Sequence, residues 1–276
     1  MYNPFDLSGP AFLTLYAFGL AAALAAGKII PESLRPEGRE GRTRDVDELA
    51  YLAGGMMRLA EAVVARLFSA GALVGDAKRT VRVLAPDAGR TAAEGEVLRL
   101  IGPVPFTTIE GAIGQAAEPI EHRLVAAGLL IDREQAKSLR RWQTLPYLLL
   151  IGFGTIKLLV GVARDRPVLW LILLLLATVA LASRRWDAVD RRTRTGERLL
   201  RDTQFAADRL RRAPTAGESD RAVALFGTAV LAGSALEAVH AMRQPPADGS
   251  GGGGCGGDGG GGGDGGCGGG CGGCGS

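Results

Sequence analysis

The residues best equipped for chemistry are four cysteines, Cys255, Cys267, Cys271 and Cys274, all within a glycine-rich C-terminal tail. The last three are spaced C-x3-C-x2-C, so their thiolates can converge on one soft metal ion such as zinc. Cys255 can join as a fourth ligand across an 11-residue loop, since the cost of loop closure grows only slowly with length. Against this, residues 249–276 hold 20 of the 42 glycines and no apolar side chain that could build a core. Ordering such a chain costs roughly 1–2 kcal/mol per residue in backbone entropy. The tail is therefore expected to be disordered unless metal orders it, and no other cofactor is expected.

Lys157 is the one charge inside an apolar run, Trp142–Ala163. A lysine near the centre of a membrane span costs on the order of 2.5–3.5 kcal/mol, so it faces protein or water, or snorkels to the interface. Lys157, Gly161 and Arg164 share a helical face at i, i+4 and i+7. A structural or snorkelling role is expected before a transport role. The only histidines, His122 and His240, are expected at the surface or its boundary. Asp45, Asp47 and Glu48 read as the acidic first turn of a helix, where the dipole favours them. The sequence contains no Ser/His/Asp set, HExxH, Walker A or Rossmann fingerprint. No catalytic residue is assigned, and the chain is expected not to be an enzyme. The cysteine spacing also looks like the iron–sulfur loop of radical S-adenosylmethionine enzymes, but those need a large α/β barrel after the loop, and this sequence stops at Ser276.

Three long apolar runs must position these residues. Leu7–Gly27 carries no charge, and Lys28 closes it; Trp142–Ala163 and Pro167–Ser183 flank the short Arg164-Asp165-Arg166 turn. About 20 helical residues cross the hydrocarbon core, so each run fits a span and the last two form a hairpin. The first run has no basic start, which favours an uncleaved helix over a signal peptide. Basic residues gather at Lys28–Arg44, Arg133–Arg141 and Arg184–Arg194, whereas the opposite ends hold only Arg164 and Arg166. The positive-inside rule then places the N-terminus outside and residues 28–141 in the cytoplasm. A fourth stretch, Ala222–Leu236, is short for a span and rich in small residues, so it reads either as a buried helix or as a fourth crossing.

Residues 45–141 are polar in character and duplicated. Arg66-Leu-Phe-Ser-Ala-Gly-Ala-Leu-Val74 recurs as Arg123-Leu-Val-Ala-Ala-Gly-Leu-Leu-Ile131, at an offset of 57. Each copy reads as a helix stopped by glycine and followed at once by a strand. Thr80–Leu84 alternates with period two and supplies a return strand in the first copy. This order is similar to a winged helix-turn-helix, which makes DNA binding worth weighing. The candidate recognition helices, Met56–Ser69 and Glu118–Ala127, would expose Arg58, Glu61, Ala65 and Arg66, and Glu118, Glu121, His122 and Arg123, with Pro119 in the second one's first turn. A face with as many glutamates as arginines suits neither phosphates nor base edges, so a specific nucleic acid is not an expected partner.

The stretches "LSGPAFLTLY" (7–16), "DELAYLAGG" (47–55), "KLLVGVARDRPV" (157–168) and "AVALFG" (222–227), together with the tail, resemble a family of uncharacterised bacterial membrane proteins with Gly/Cys-rich ends. That resemblance implies an architecture and no activity. The fold class expected is a mainly α membrane protein with three transmembrane helices, the fourth left open, a cytoplasmic α+β region of two winged-helix-like repeats, and a disordered Gly/Cys tail. The divisions are a transmembrane helix at 1–28, a linker at 29–44, repeats at 45–90 and 91–141, a transmembrane hairpin at 142–183, an Arg-rich cytoplasmic helix at 184–213, an apolar helix at 221–242 and the tail at 249–276. The expected function is a multi-pass inner-membrane protein whose region 45–141 binds another protein. The alternatives are an oligomeric small-solute transport or channel component, and a membrane-tethered transcription regulator. Alkaline phosphatase fused after residue 90 should be inactive, and fused after residue 165 active; activity at residue 90 would overturn this topology.

Overall fold

The computed structural model describes residues 9–76, 79–163, 168–187 and 190–243; the Cys/Gly tail and the 164–167 turn lie outside them. The first apolar run forms α1, Gly9–Leu34, which continues past Lys28 and through Pro31 into the segment expected to be linker. The second apolar run belongs to α5, Arg133–Ala163, which begins nine residues before Trp142 and joins the polar region to the run without a break. The third forms α6, Leu169–Asp187. These three helices are long and apolar enough to cross a membrane.

They pack through aromatic and small residues. Phe12 stacks on Phe153 of α5 with centroids 5.3 Å apart, and Tyr16 is wholly buried, its hydroxyl 3.1 Å from Thr178 Oγ1 of α6. Glycine makes room for this contact: a Cβ on Gly154 would lie 2.7 Å from Tyr16 Cε2. Phe18 (77% exposed) and Trp170 (70%) point outward with Leu149 and Leu159, an apolar exterior that suits contact with lipid. Pro31 has no N–H for the carbonyl of Gly27 one turn earlier, and the guanidinium of Arg185, at the end of α6, donates to that oxygen instead.

The polar domain is built on α2, Val46–Ser69. Asp45 caps it, accepting from the Glu48 N–H at 2.7 Å. The helix breaks at Gly54–Gly55, where Gly55 has φ +66°, a conformation other residues resist. It ends in a left-handed glycine, Gly71, with Ala72 N–H returning to Leu67 O at 2.9 Å. Strands β1 (Leu73–Gly75) and β2 (Thr80–Val83) follow as an antiparallel hairpin, with Leu73 opposite Val83. Next come α3 (Ala92–Leu98), β3 (Val104–Pro105), which pairs with β2, and α4 (Phe106–Ala126). α4 ends as α2 does, with left-handed Gly128 and Leu129 N–H bonded to Leu124 O at 3.0 Å. The two helices thus end in the same way.

Four expectations change. The second repeat has no hairpin of its own among the described residues. Residues 129–131 pair instead with 190–193, through Ile131 N–H to Arg191 O (2.7 Å) and Thr193 N–H to Leu129 O (3.1 Å). For the same reason 184–213 is not one helix. It holds the end of α6, this extended segment, α7 (Arg194–Ala206) and α8 (Asp208–Arg212). Pro119 sits inside α4, which starts at Phe106, and not in a first turn. Finally, 221–242 is not one helix or a fourth span. It forms α9 (Ser219–Phe226), a left-handed break at Gly227 (φ +86°), a 3-10 turn at Thr228–Leu231, and α10 (Glu237–Arg243). α9 packs along α2, and Val223, Ala224, Leu231 and Val239 are buried in the same core as Leu59, Val63, Ile109 and Ile113. Its short apolar run is the missing wall of a globular core.

The Gly154 contact yields a direct test. Gly154→Val overpacks the α1–α5 interface and should cost about 1–3 kcal/mol, read as a lower thermal midpoint of the detergent-solubilised chain. An unchanged midpoint would mean that the two helices do not meet there.

Candidate functional site

All three apolar helices enter the polar domain at one place. α1 runs into Pro36–Gly41, α5 starts just after Ile131, and α6 leads into Asp190–Thr193. These backbones are bonded to each other. Arg194 N–H donates to Pro36 O (3.1 Å), Thr195 N–H to Glu37 O (2.9 Å), and Thr193 Oγ1 to Gly128 O (2.8 Å). Glycine permits the approach: a Cβ on Gly128 would lie 2.7 Å from Arg39 N.

Charges lock the junction from the domain side. Glu121 of α4 is only 5% exposed and accepts from Arg133 Nε (2.7 Å) and Nη2 (2.8 Å), Arg191 Nη2 (2.6 Å) and Tyr51 Oη (2.7 Å). The guanidinium of Arg133 first, then that of Arg191, holds its carboxyl well below the usual carboxylate range, although burial opposes this. Burial, reinforced by the Glu121 charge, pushes the Tyr51 phenol up to about 12. A carboxylate saturated by four donors is a fixed anion, not a poised proton acceptor. Arg192 completes the lock: its Nε donates to Leu52 O at 2.8 Å and its Nη2 to Ala53 O, the carbonyls just before the α2 break.

The repeated arginines close the domain around the start of α2. Arg66 pairs with Asp47 (3.0 Å) and with Glu94 of α3, and Arg123 pairs with Glu48 (2.7 Å). Asp47 and Glu48 are buried, so they are internal counter-ions beyond being a favourable first turn. Burial would raise the Glu94 carboxyl, but the Arg90 N–H and the Arg66 guanidinium outweigh it and lower it. Outside this core, Thr215 and Arg209 draw Glu218 down to about 2. Glu61, Ala65 and Glu121, expected on exposed recognition faces, are buried. Glu61 binds Arg58 (3.1 Å) and Arg243 (2.9 Å).

The remaining sequence candidates fall elsewhere. Lys157 Nζ lies 5.0 Å over the Phe12 ring, within the apolar bundle, although Arg164 of the expected shared face lies outside the described residues. His122 is exposed, 4.0 Å from Glu118, and His240 Nδ1 lies 3.2 Å from Thr228 Oγ1. Cys255, Cys267, Cys271 and Cys274 lie outside the described residues, and among those that are described no cluster of histidine and acidic side chains could hold a metal ion. Sequence reasoning placed Asp47 and Glu48 in a first helical turn and Glu121 on an exposed face but missed their ion pairs, and it missed the roles of Arg191 and Arg192. One signal existed for the first two: a repeated arginine needs two partners, and an adjacent acidic pair supplies them. Comparison with family models, curated proteins and solved structures finds no match for this chain.

The Glu121 cluster predicts a pH dependence. Its folded-state value is depressed, so the stability it contributes is complete above the ordinary glutamate value of about 4.3 and is lost as pH falls toward the folded value. Glu121→Gln should cost about 3 kcal/mol at pH 7, at the low end for breaking a buried pair because Arg133 reaches solvent. The deficit should narrow steadily below about pH 4.5. A deficit independent of pH would contradict the assignment.

Proposed function

We propose that the chain is a non-enzymatic, multi-pass protein of the bacterial inner membrane whose polar domain lies in the cytoplasm and binds another protein. The observation that carries this reading is a pair of adjacent methionines, Met56 (42% exposed) and Met57 (49%), just after the α2 break. They lie beside the small residues of α4: a Cβ on Gly114 would come within 3.7 Å of Met56 Sδ. Flexible thioethers beside the half-buried Gly114 form a soft apolar surface of the kind proteins use for docking. Glu110 and Arg243, paired at 3.2 Å, give it a polar rim.

In this reading the winged-helix-like units serve protein recognition. A DNA-reading regulator is the weaker alternative, because Arg58, Arg66 and Arg123 of the candidate recognition helices are all ion-paired within the domain. A transport role is weaker too, since Lys157 is placed over an aromatic ring of the bundle. In this reading the tail thiols Cys255, Cys267, Cys271 and Cys274 take a soft metal ion.

A photo-crosslinking residue at position 56 of the full-length chain in native membranes should give a discrete protein adduct, lost in Met57→Asp. The same residue at the exposed Arg99 should give none. Equal adducts at both positions, or none at position 56, would overturn the reading.

A further inference from the structure

Three arginines without an acidic partner among the described residues share one cleft. Arg42 and Arg44, on the segment between α1 and α2, and Arg221, in the first turn of α9, line a cavity of about 400 Å3. None of the three guanidiniums is ion-paired among the described residues, in contrast to Arg66, Arg123, Arg191, Arg194 and Arg243. The one acid on the cleft wall, Asp45, is already engaged by the Glu48 N–H as the cap of α2. Arg221 also borders a neighbouring cavity of about 510 Å3, but there the second arginine, Arg209, is paired with Glu218, and Asp220 adds a further acid.

All three side chains are exposed at the cleft, and their unpaired positive charge favours an anion there. Guanidinium forks match phosphoryl oxygens two at a time, and Thr43 adds a hydroxyl donor. The floor is apolar, formed by Leu49 and Leu199. We propose that this cleft binds the phosphoryl group of a small phosphate monoester whose apolar part rests on that floor. Arg42 directly follows the junction where the apolar helices enter the domain, so either a lipid headgroup or a soluble phosphate ester can supply the group. This site is independent of the Met56–Met57 surface.

The test is calorimetric titration of the full-length chain in phosphatidylcholine nanodiscs with inorganic phosphate and with phenyl phosphate, against sodium chloride at matched ionic strength. Both phosphates should bind saturably at one site, phenyl phosphate more tightly, and chloride should not. Arg44→Gln with Arg221→Gln should weaken binding by at least about tenfold, without moving the thermal midpoint, because neither side chain is paired. Arg209→Gln should bind as wild type. Should the double variant fail to fold, Arg42→Gln, on a segment outside any helix, must show the same loss. Repeating the titration in discs doped with phosphatidic acid separates the sources: abolished phosphate binding assigns the cleft to a headgroup, and retained binding assigns it to a soluble ester. Unsaturable heats, heats matched by chloride, or wild-type affinity in the arginine variants would overturn the proposal.

Discussion

The fold depends on how the interruption of α2 is satisfied. At Gly54–Gly55 the helical ladder stops, and a buried carbonyl left without a donor costs roughly 1–3 kcal/mol. Arg192 supplies donors to Leu52 and Ala53 from a segment 140 residues away in sequence. For it to do so, residues 190–193 must run extended beside 129–131, and the end of α6 must lie close to the start of α5. One guanidinium thus links the break in a polar-domain helix to the path of the apolar helices.

The other charges of the domain follow the same logic. Glu121 gathers Tyr51 of α2, Arg133 at the start of α5 and Arg191 after α6, so one carboxylate touches three chain segments. Buried ion pairs add little net stability relative to apolar packing, but removing one partner is costly, which makes such a cluster intolerant of misregister. Arg185 plays the matching part on the bundle side, donating to the Gly27 carbonyl that Pro31 leaves open. Gln143, 1% exposed, donates in turn to Arg185 O at 2.7 Å. The polar domain and the apolar bundle are consequently held by directional bonds at their boundary as well as by helix continuity through α5.

Much of this was legible where the determinants are local. The three apolar runs, the acidic start of α2 and the glycine stops at Gly71 and Gly128 are written within a few residues of where they act. What was not legible depends on distant segments. The 129–131 strand finds its partner at 190–193, on the far side of two apolar helices, and no pairing preference in either segment announces the other. Glu121 looked exposed on α4 because its partners come from α2, α5 and the 190–193 segment. Ala222–Leu236 was ambiguous because a short, small-residue apolar run has the same composition whether it fills a core or faces lipid. Its contacts with α2 decide the matter.

Residues 190–197 are part of the folded core and not a tether between the apolar helices and a separate domain. Hydrogen exchange of the full-length chain in nanodiscs tests it most directly, at the amides of Ile131, Thr193 and Thr195, whose partners are Arg191 O, Leu129 O and Glu37 O. Their protection should lie within about tenfold of that of the fully buried Val63 and Val64 of α2. Exchange of these three amides at the rate of an unstructured chain, while Val63 and Val64 stay protected, would contradict it.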